Sequence, residues 1–423
     1  MNMEQFIQLL QSVSWKGSRL GLERVETLLA MLGEPEKKLR FIHVAGSNGK
    51  GSVASMLASV LTAAGYRTGL YTSPHLMSYQ ERMRINGQDI TEEELCALAD
   101  KVRLCVERME DKPTEFELLT CMALVYFAQK KCDIVVLEVG LGGRLDATNA
   151  IPVPEAAVIM NIGLEHTEVL GGTLAEIAAE KAGIIKEGCT VVTYPGSPEV
   201  EAVFQKVCAQ RHAAWYKARF QDLTILGENL DGQSFCWREF SGLKIRLLGK
   251  HQLWNAAVVL ETITLLRARG WKITEQAVRN GLASAQWPAR MEVLRRRPLF
   301  LLDGAHNPQC AQALAESLPM LLNGKKAVFL TGVLADKDYP GMVDQMLPLA
   351  QEFVCLTPFS DRALPAEKLA EYLRGKGTKA QVCNDVQTGV QAALTAAGED
   401  GAVVGFGSLY LAGAVREILS PSR

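Results

Sequence analysis

The residues Arg40-Phe41-Ile42-His43-Val44-Ala45-Gly46-Ser47-Asn48-Gly49-Lys50-Gly51-Ser52 run from a short apolar stretch into a glycine-rich turn, and a helical pattern begins at Val53. A strand that ends in glycines and reopens as a helix aims backbone N–H groups and the positive end of the helix dipole at one point. Lys50 adds a full charge there. Such a turn is a cradle for an anion, with Gly46, Ser47, Asn48, Gly49, Lys50, Gly51 and Ser52 as its contacts. The strict phosphate-loop spacing places Gly at position 44 and a hydroxyl directly after the lysine. Here Val44 and Gly51 hold those places, and the hydroxyl arrives one residue later as Ser52. An ordinary strand-to-helix loop is the plainer reading of the same residues.

Around this turn the chain alternates strand and helix. Phe41–Ala45, Thr68–Thr72, Ile134–Glu138, Ala157–Ile162 and Thr190–Thr193 read as strands, separated by helical patterns over Val53–Ala64, Phe116–Gln129 and Leu174–Ala182. Leu20–Leu32 is a helix ending at Gly33. Between Phe220 and Leu248 the period shortens to strands, with turns expected at Asp231-Gly232 and Ser241-Gly242. Gln252–Arg269 returns to helix. Beyond Trp287-Pro288 a second alternation begins, with strands at Leu299–Leu302, Ala327–Thr331, Phe353–Leu356 and Ala402–Gly405, and with Asn307-Pro308 as a capped helix start. The pattern predicts an α/β protein of two domains, 1–287 and 288–423. The first is a P-loop ATPase-like, mostly parallel sheet with a small antiparallel edge sheet. The second is Rossmann-like.

Composition removes several classes of function. A formal net charge of −2 and the lack of a long basic run argue against a nucleic-acid surface or an anionic membrane. Met1 to Leu10 has no basic and apolar leader pattern, and no apolar run approaches a membrane span. Ten cysteines without CxxC spacing read as reduced thiols in a cytoplasm, and the six histidines form no HExxH-type metal motif.

Polar residues gather where strands end, which is where α/β sheets bind ligands. Glu138 closes a buried strand and could hold Mg²⁺ beside a phosphate loop, or simply be solvated. His166 lies just after the strand ending at Ile162, and a lone His is more often structural. Lys181, near the end of a helix, reads as a solvated cation. Gln252 and Asn255 lie one helical turn apart and could meet a purine edge or cap a helix. Asp303 could bond a ribose hydroxyl or cap its own turn. Arg290 could reach phosphate oxygens or form a surface ion pair.

Taken in order, Leu20–Arg24, His43–Ser52, Ser73-Pro74-His75-Leu76, Glu81-Arg82 with Ile85-Asn86-Gly87, Glu138–Asn149, Glu180–Ile184, His251–Asn255 and Asp303–Pro308 resemble the folylpolyglutamate synthase/dihydrofolate synthase family, a branch of the Mur-type ATP-dependent amide ligases. The resemblance spans nearly the whole chain. It implies a cytoplasmic, monomeric enzyme that joins L-glutamate to dihydropteroate or to folates with ATP and Mg²⁺, at two metal sites. Carried over by motif, Gly49, Lys50 and Ser52 bind phosphate and metal, and Ser73, Glu138 and His166 supply further metal contacts. Lys181 becomes a carbamylated lysine, which reverses its reading as a surface cation. Gln252, Asn255 and Asp303 become nucleotide contacts, Arg290 a phosphate contact, and His306 a residue facing the active site. Phe116 and Asp146 match pterin-site positions, and His75 and Arg82 join them as substrate residues. The family commonly has Gly where Ala289 stands, a change tolerated unless that residue needs positive φ. Two other readings remain at this point: a related ligase acting on a UDP-linked cell-wall precursor, and a P-loop ATPase without ligase activity.

Overall fold

The computed structural model describes residues 1–13 and 19–420, and the chain divides into two compact units. The first comprises 1–224, 236–243 and 254–285; the second comprises 225–235, 244–253 and 286–423. The second unit thus begins its main run at Gln286, but it also takes in two earlier segments from the short-strand region.

The first unit is built on an eight-stranded sheet. Its strands are β1 (Phe41–Ala45), β2 (Thr68–Tyr71), β3 (Met83–Ile85), β4 (Gln88–Asp89), β5 (Ile134–Glu138), β6 (Ala156–Ile159), β7 (Thr190–Thr193) and β8 (Ala214–Lys217), in the order β4-β3-β2-β5-β1-β6-β7-β8. All pairings from β2 to β8 are parallel, and β3 and β4 add an antiparallel edge. Every residue of β1, β2, β5, β6 and β7 is buried, as expected of parallel strands covered by helices. The helix Lys50–Ala63 is buried over most of its surface, which is why its sequence shows little amphipathic contrast. The helix Glu115–Gln129 is similar and starts with a full capping box, Thr114 with Glu117.

A small antiparallel sheet comes next in the chain: β9 (Leu223–Asn229), β10 (Gly232–Trp237) and β11 (Phe240–Ile245). The turn expected at Ser241-Gly242 lies instead at Arg238-Glu239, and Ser241 and Gly242 belong to β11. Arg238 takes the positive φ of 46° that the turn requires. Its guanidinium is anchored to Asp222 at 3.0 Å and Glu261 at 2.7 Å, which offsets the backbone cost.

The second unit carries a six-stranded sheet with β12 (Glu292–Arg296), β13 (Leu299–Leu302), β14 (Ala327–Thr331), β15 (Ala350–Cys355), β16 (Ala380–Val382) and β17 (Ala402–Phe406), in the order β12-β13-β17-β14-β15-β16. Only the β12–β13 pair is antiparallel. Among the described residues no helix is long and apolar enough to cross a membrane. All ten cysteines are free thiols, six of them buried.

Candidate active site

Parallel strands β1, β5 and β6 end at the same edge of the sheet, with Val44 opposite Glu138 and Ala45 opposite Ile159. Their register therefore brings the turn Gly46–Gly49, the carboxylate of Glu138 and the loop Asn161–His166 to one place. Gly46 has φ +147°, and a Cβ there would fall 2.5 Å from the Cβ of Met160, so the turn admits no side chain at this point. Gly49, at φ +86°, is the N-cap of the helix Lys50–Ala63, and no side chain caps that helix.

The loop after β6 braces the turn. The N–H groups of Ser47 and Asn48 donate to the carbonyl and side-chain oxygens of Asn161, at 2.9 and 3.0 Å. Ser47 Oγ donates to the Gly163 carbonyl and accepts its N–H, both at 3.0 Å. Two backbone donors expected to face an anion are thus committed within the protein, and Asn161 is a supporting residue that spacing alone did not single out. Lys50 Nζ donates to the carbonyls of Gly46 at 2.7 Å and Ser47 at 3.0 Å. Ser52 is buried on the first turn of the helix. Asn255, buried on the helix Lys250–Ala268, approaches Gly49, whose Cβ would lie 3.0 Å from the Asn255 Oδ1.

Lys181 is not a surface cation: it is 1% exposed. Its ammonium donates to the Gly46 carbonyl and to Glu165 Oε1, each at 2.9 Å. Burial and the nearby positive charge of Lys50 lower its pKa to about 8, against the opposing pull of Glu165. Glu165 is lowered to about 2: burial pushes it up, but Lys50 and Lys181 together outweigh that. Glu165 is a site residue that sequence reasoning passed over, because its partner is 16 positions away on another element.

Ser73 N–H donates to Glu138 Oε2 at 3.1 Å, linking two of the four expected metal contacts. His166 is exposed, with φ +48°, at the start of the short helix Thr167–Leu170. Among the described residues no three His, Cys, Asp or Glu side chains gather in a metal cluster. One carboxylate with two hydroxyls is still a hard-oxygen donor set of the kind Mg²⁺ accepts while keeping most of its waters.

Ser73 also lines a cavity of about 370 Å³, shared with Arg19, Arg82, Phe116, Glu117 and Asp146. Three of the four expected substrate residues are thus brought together, and His75 joins through its Nδ1, which accepts from Arg82 Nε at 3.0 Å. Burial and the charge of Arg82 lower His75 to about 4, so it is a neutral acceptor at pH 7. Gly140 is required here, since a Cβ would lie 2.4 Å from the Phe116 ring. The cavity wall is fixed by a buried pair, Arg24 with Glu117 at 2.7 Å. A fixed cation, an aromatic ring and a carboxylate around one opening suit a flat, polar, ring-containing molecule.

In the second unit, Asp303 comes directly after β13. Its two oxygens accept the N–H groups of Met291 and Ala305, each at 2.8 Å, so the turn-capping role is occupied. Burial raises its pKa against the pull of Arg290. Arg290 Nη1 donates to the Ala289 carbonyl at 2.9 Å, and His306 Nδ1 lies 2.8 Å from the Gly304 carbonyl. Ala289 has φ +53°, the left-handed conformation that a glycine would adopt at no cost. Gln252, buried like Asn255, shares its helix one turn earlier.

Two protein-family models match the chain. Residues 44–263 match the Mur ligase middle domain, and residues 289–409 match the Mur ligase glutamate ligase domain. The chain is 39% identical over 346 residues to the dihydrofolate synthase/folylpolyglutamate synthase of Bacillus subtilis, covering 79% of this chain and 80% of that protein. A Mycobacterium tuberculosis folylpolyglutamate synthase solved with ADP and AMPPCP superposes with a TM-score of 0.90 at 32% identity, covering 99% of this chain and 98% of that one. An Escherichia coli structure in complex with DHPP and ADP gives 0.88 at 32% identity, with the same coverage. With both ligase domain types matched along its length, the chain belongs to the folylpolyglutamate synthase/dihydrofolate synthase family of Mur ligases.

Proposed function

We propose that this ligase uses ATP to join L-glutamate to dihydropteroate, to reduced folates, or to both. The observation that carries the reading is the pairing, in one unit, of a Lys50-bearing anion turn with a cavity lined by Arg82, Phe116 and Asp146. A carboxylate oxygen of the pteroate or folate attacks the γ-phosphorus of ATP, and the bond to the β-phosphate oxygen breaks to release ADP. The glutamate amine then attacks the acyl carbon, loses a proton, and phosphate leaves as the amide forms. Lys50 and the N-terminal turn of its helix stabilise the negative charge on the transferred group. By the family resemblance, Gln252, Asn255 and Asp303 are assigned to the nucleotide, Arg290 to its phosphates and His306 to the reacting groups.

Ser52, Ser73, Glu138 and His166 would hold Mg²⁺ at two sites; the metal would neutralise phosphate charge. Replacing His166 should weaken Mg²⁺-dependent turnover more than ATP binding, and an unchanged Mg²⁺ dependence would count against that role. Carbamylation of Lys181 joins its neutral amine to CO₂ and releases a proton. A pKa lowered to about 8 supports it by making the neutral amine accessible near physiological pH. Carbon-13 bicarbonate should give a carbamate resonance that Lys181→Arg lacks; identical spectra would overturn the modification. Unpaired cysteines support a cytoplasmic enzyme, and we take it to act as a monomer on small-molecule substrates.

Products analysed by mass spectrometry test the reading. Dihydropteroate and tetrahydrofolate, offered separately with ATP and glutamate, should each reveal whether one glutamate mass is added. ATP consumption with neither product formed would overturn it in favour of a simple ATPase, and activity confined to UDP-muramyl substrates in favour of a cell-wall ligase.

A further inference from the structure

Behind the cavity wall, two buried polar side chains to which the ligase reaction gives no role of their own lead to Asp146. Asp146 lines the cavity; the Thr148 hydroxyl donates to Asp146 Oδ1, and the same hydroxyl oxygen lies 2.8 Å from His43 Nε2. Thr148 and His43 are fully buried. A hydroxyl has one proton to donate. With that proton pointed at the carboxylate, the Thr148 oxygen accepts from His43, which therefore carries its hydrogen on Nε2. The reverse order, a protonated Asp146 donating to Thr148 and onward to His43, would leave an N–H on His43 Nδ1, an atom buried without a partner. A stranded N–H is a rarer and costlier defect than a stranded lone pair. Burial pushes the Asp146 carboxyl up, and the Thr148 hydroxyl, with the N–H groups of Leu141 at 2.8 Å and Thr148 at 3.0 Å, opposes that by favouring the ionised form.

We propose that Thr148 and His43 are positioning residues that keep Asp146 ionised and aimed into the cavity as an acceptor for N–H donors of the bound heterocycle. This rests on reading the cavity as the pteroate site. The sequence shows why the arrangement is compact: Asp146 caps its own turn at Ala147–Asn149, so Thr148 falls two residues on with its hydroxyl turned back to the carboxylate. His43 reaches the same hydroxyl from the middle of β1. Burial and the charge of Lys186 lower His43 to about 3, so it remains neutral and the direction of the chain is kept across the working pH range.

Steady-state kinetics on the full chain test this. Thr148→Val keeps the shape and removes the donor; KM for the pteroate substrate should rise about tenfold, with KM for ATP and kcat changed by less than about twofold. Thr148→Ser should restore the wild-type value, and His43→Leu should raise the same KM about threefold. If Thr148→Val fails to fold by circular dichroism, Thr148→Cys, with its weak S–H donor, carries the same expectation. An unchanged pteroate KM, or an equal rise in the KM for ATP, would overturn the proposal. Asp146→Ala separates the two layers of argument. If it raises the pteroate KM while Thr148→Val does not, only the positioning role fails; if it too has no effect, the cavity reading fails with it.

Discussion

Each unit has a strand that turns directly into a helix over a short polar loop, and the two turns are finished in opposite ways. After β13, Asp303 accepts two backbone N–H groups, and Asn307 caps the helix Pro308–Leu321 by accepting from Cys310 N–H at 2.8 Å. After β1, no side chain caps the helix Lys50–Ala63; its N-cap is Gly49, and the turn is braced from outside by Asn161 and Gly163. The first turn of a helix has N–H groups without intrahelical partners. In one unit the protein supplies a side-chain acceptor itself; in the other it supplies none, and Lys50 and Lys181 both converge on the Gly46 carbonyl of the turn. The difference lies in the residue at the cap: Asn307 closes one helix start with its side chain, and Gly49 has none to offer.

Removing the charge at the uncapped turn should have the largest effect. Lys50→Ala should lower kcat by about 10²–10³-fold, the cost of losing one group that stabilises transferred charge, with the fold intact by circular dichroism. Near-normal turnover would show that the open turn does not need its lysine. Gly46→Ala should destabilise the first unit by about 3 kcal/mol, because the added Cβ meets Met160 and the φ is unfavourable; denaturant unfolding measures it, and a change below about 1 kcal/mol would mean the turn can reshape. A graded effect comes from acid. His43 and His251 have pKa values of about 3 and about 4 in the folded chain, lowered by burial and then by Lys186 and Arg290 respectively. Both regain an ordinary pKa near 6.5 on unfolding, so the unfolded chain binds more protons. Stability should therefore fall as pH drops from 6.5 to 4, and His251→Gln should flatten part of the slope; parallel curves would contradict the assignment.

Smaller effects probe the capped turn. Asn307→Ala should cost about 1 kcal/mol, and Asn307→Gly only a few tenths, as at other N-caps. Ala289→Gly should stabilise by about 0.5–1 kcal/mol, since Ala289 holds a positive φ without the freedom of glycine. A loss of stability there would mean that the added flexibility of the unfolded chain outweighs the relieved strain.

Much of this architecture was legible in the residues. The strands Phe41–Ala45, Ile134–Glu138, Thr190–Thr193, Leu299–Leu302 and Ala327–Thr331 match the structure residue for residue, because short apolar runs buried on every side have sharp ends. The hairpin of β3 and β4 was hidden by mixed polarity, and the turn at Arg238 by an arginine where glycine was the usual signal. Site residues on strand ends could be proposed from position alone. The burial of Lys181 could not, since it depends on Glu165 and on the Gly46 carbonyl, contacts that exist only once β1 and β6 are neighbours. Arg19 and Glu117 in the cavity wall were missed for the same reason: each looks like a surface charge until its tertiary partner is known.

The grip of Lys50 on its own loop has a consequence for any affinity measured at this turn. An incoming anion must compete with the carbonyls of Gly46 and Ser47 for the ammonium group, so the observed binding strength is a difference between two attachments. A change that tilts either peptide plane away from the lysine would then tighten capture while loosening the loop.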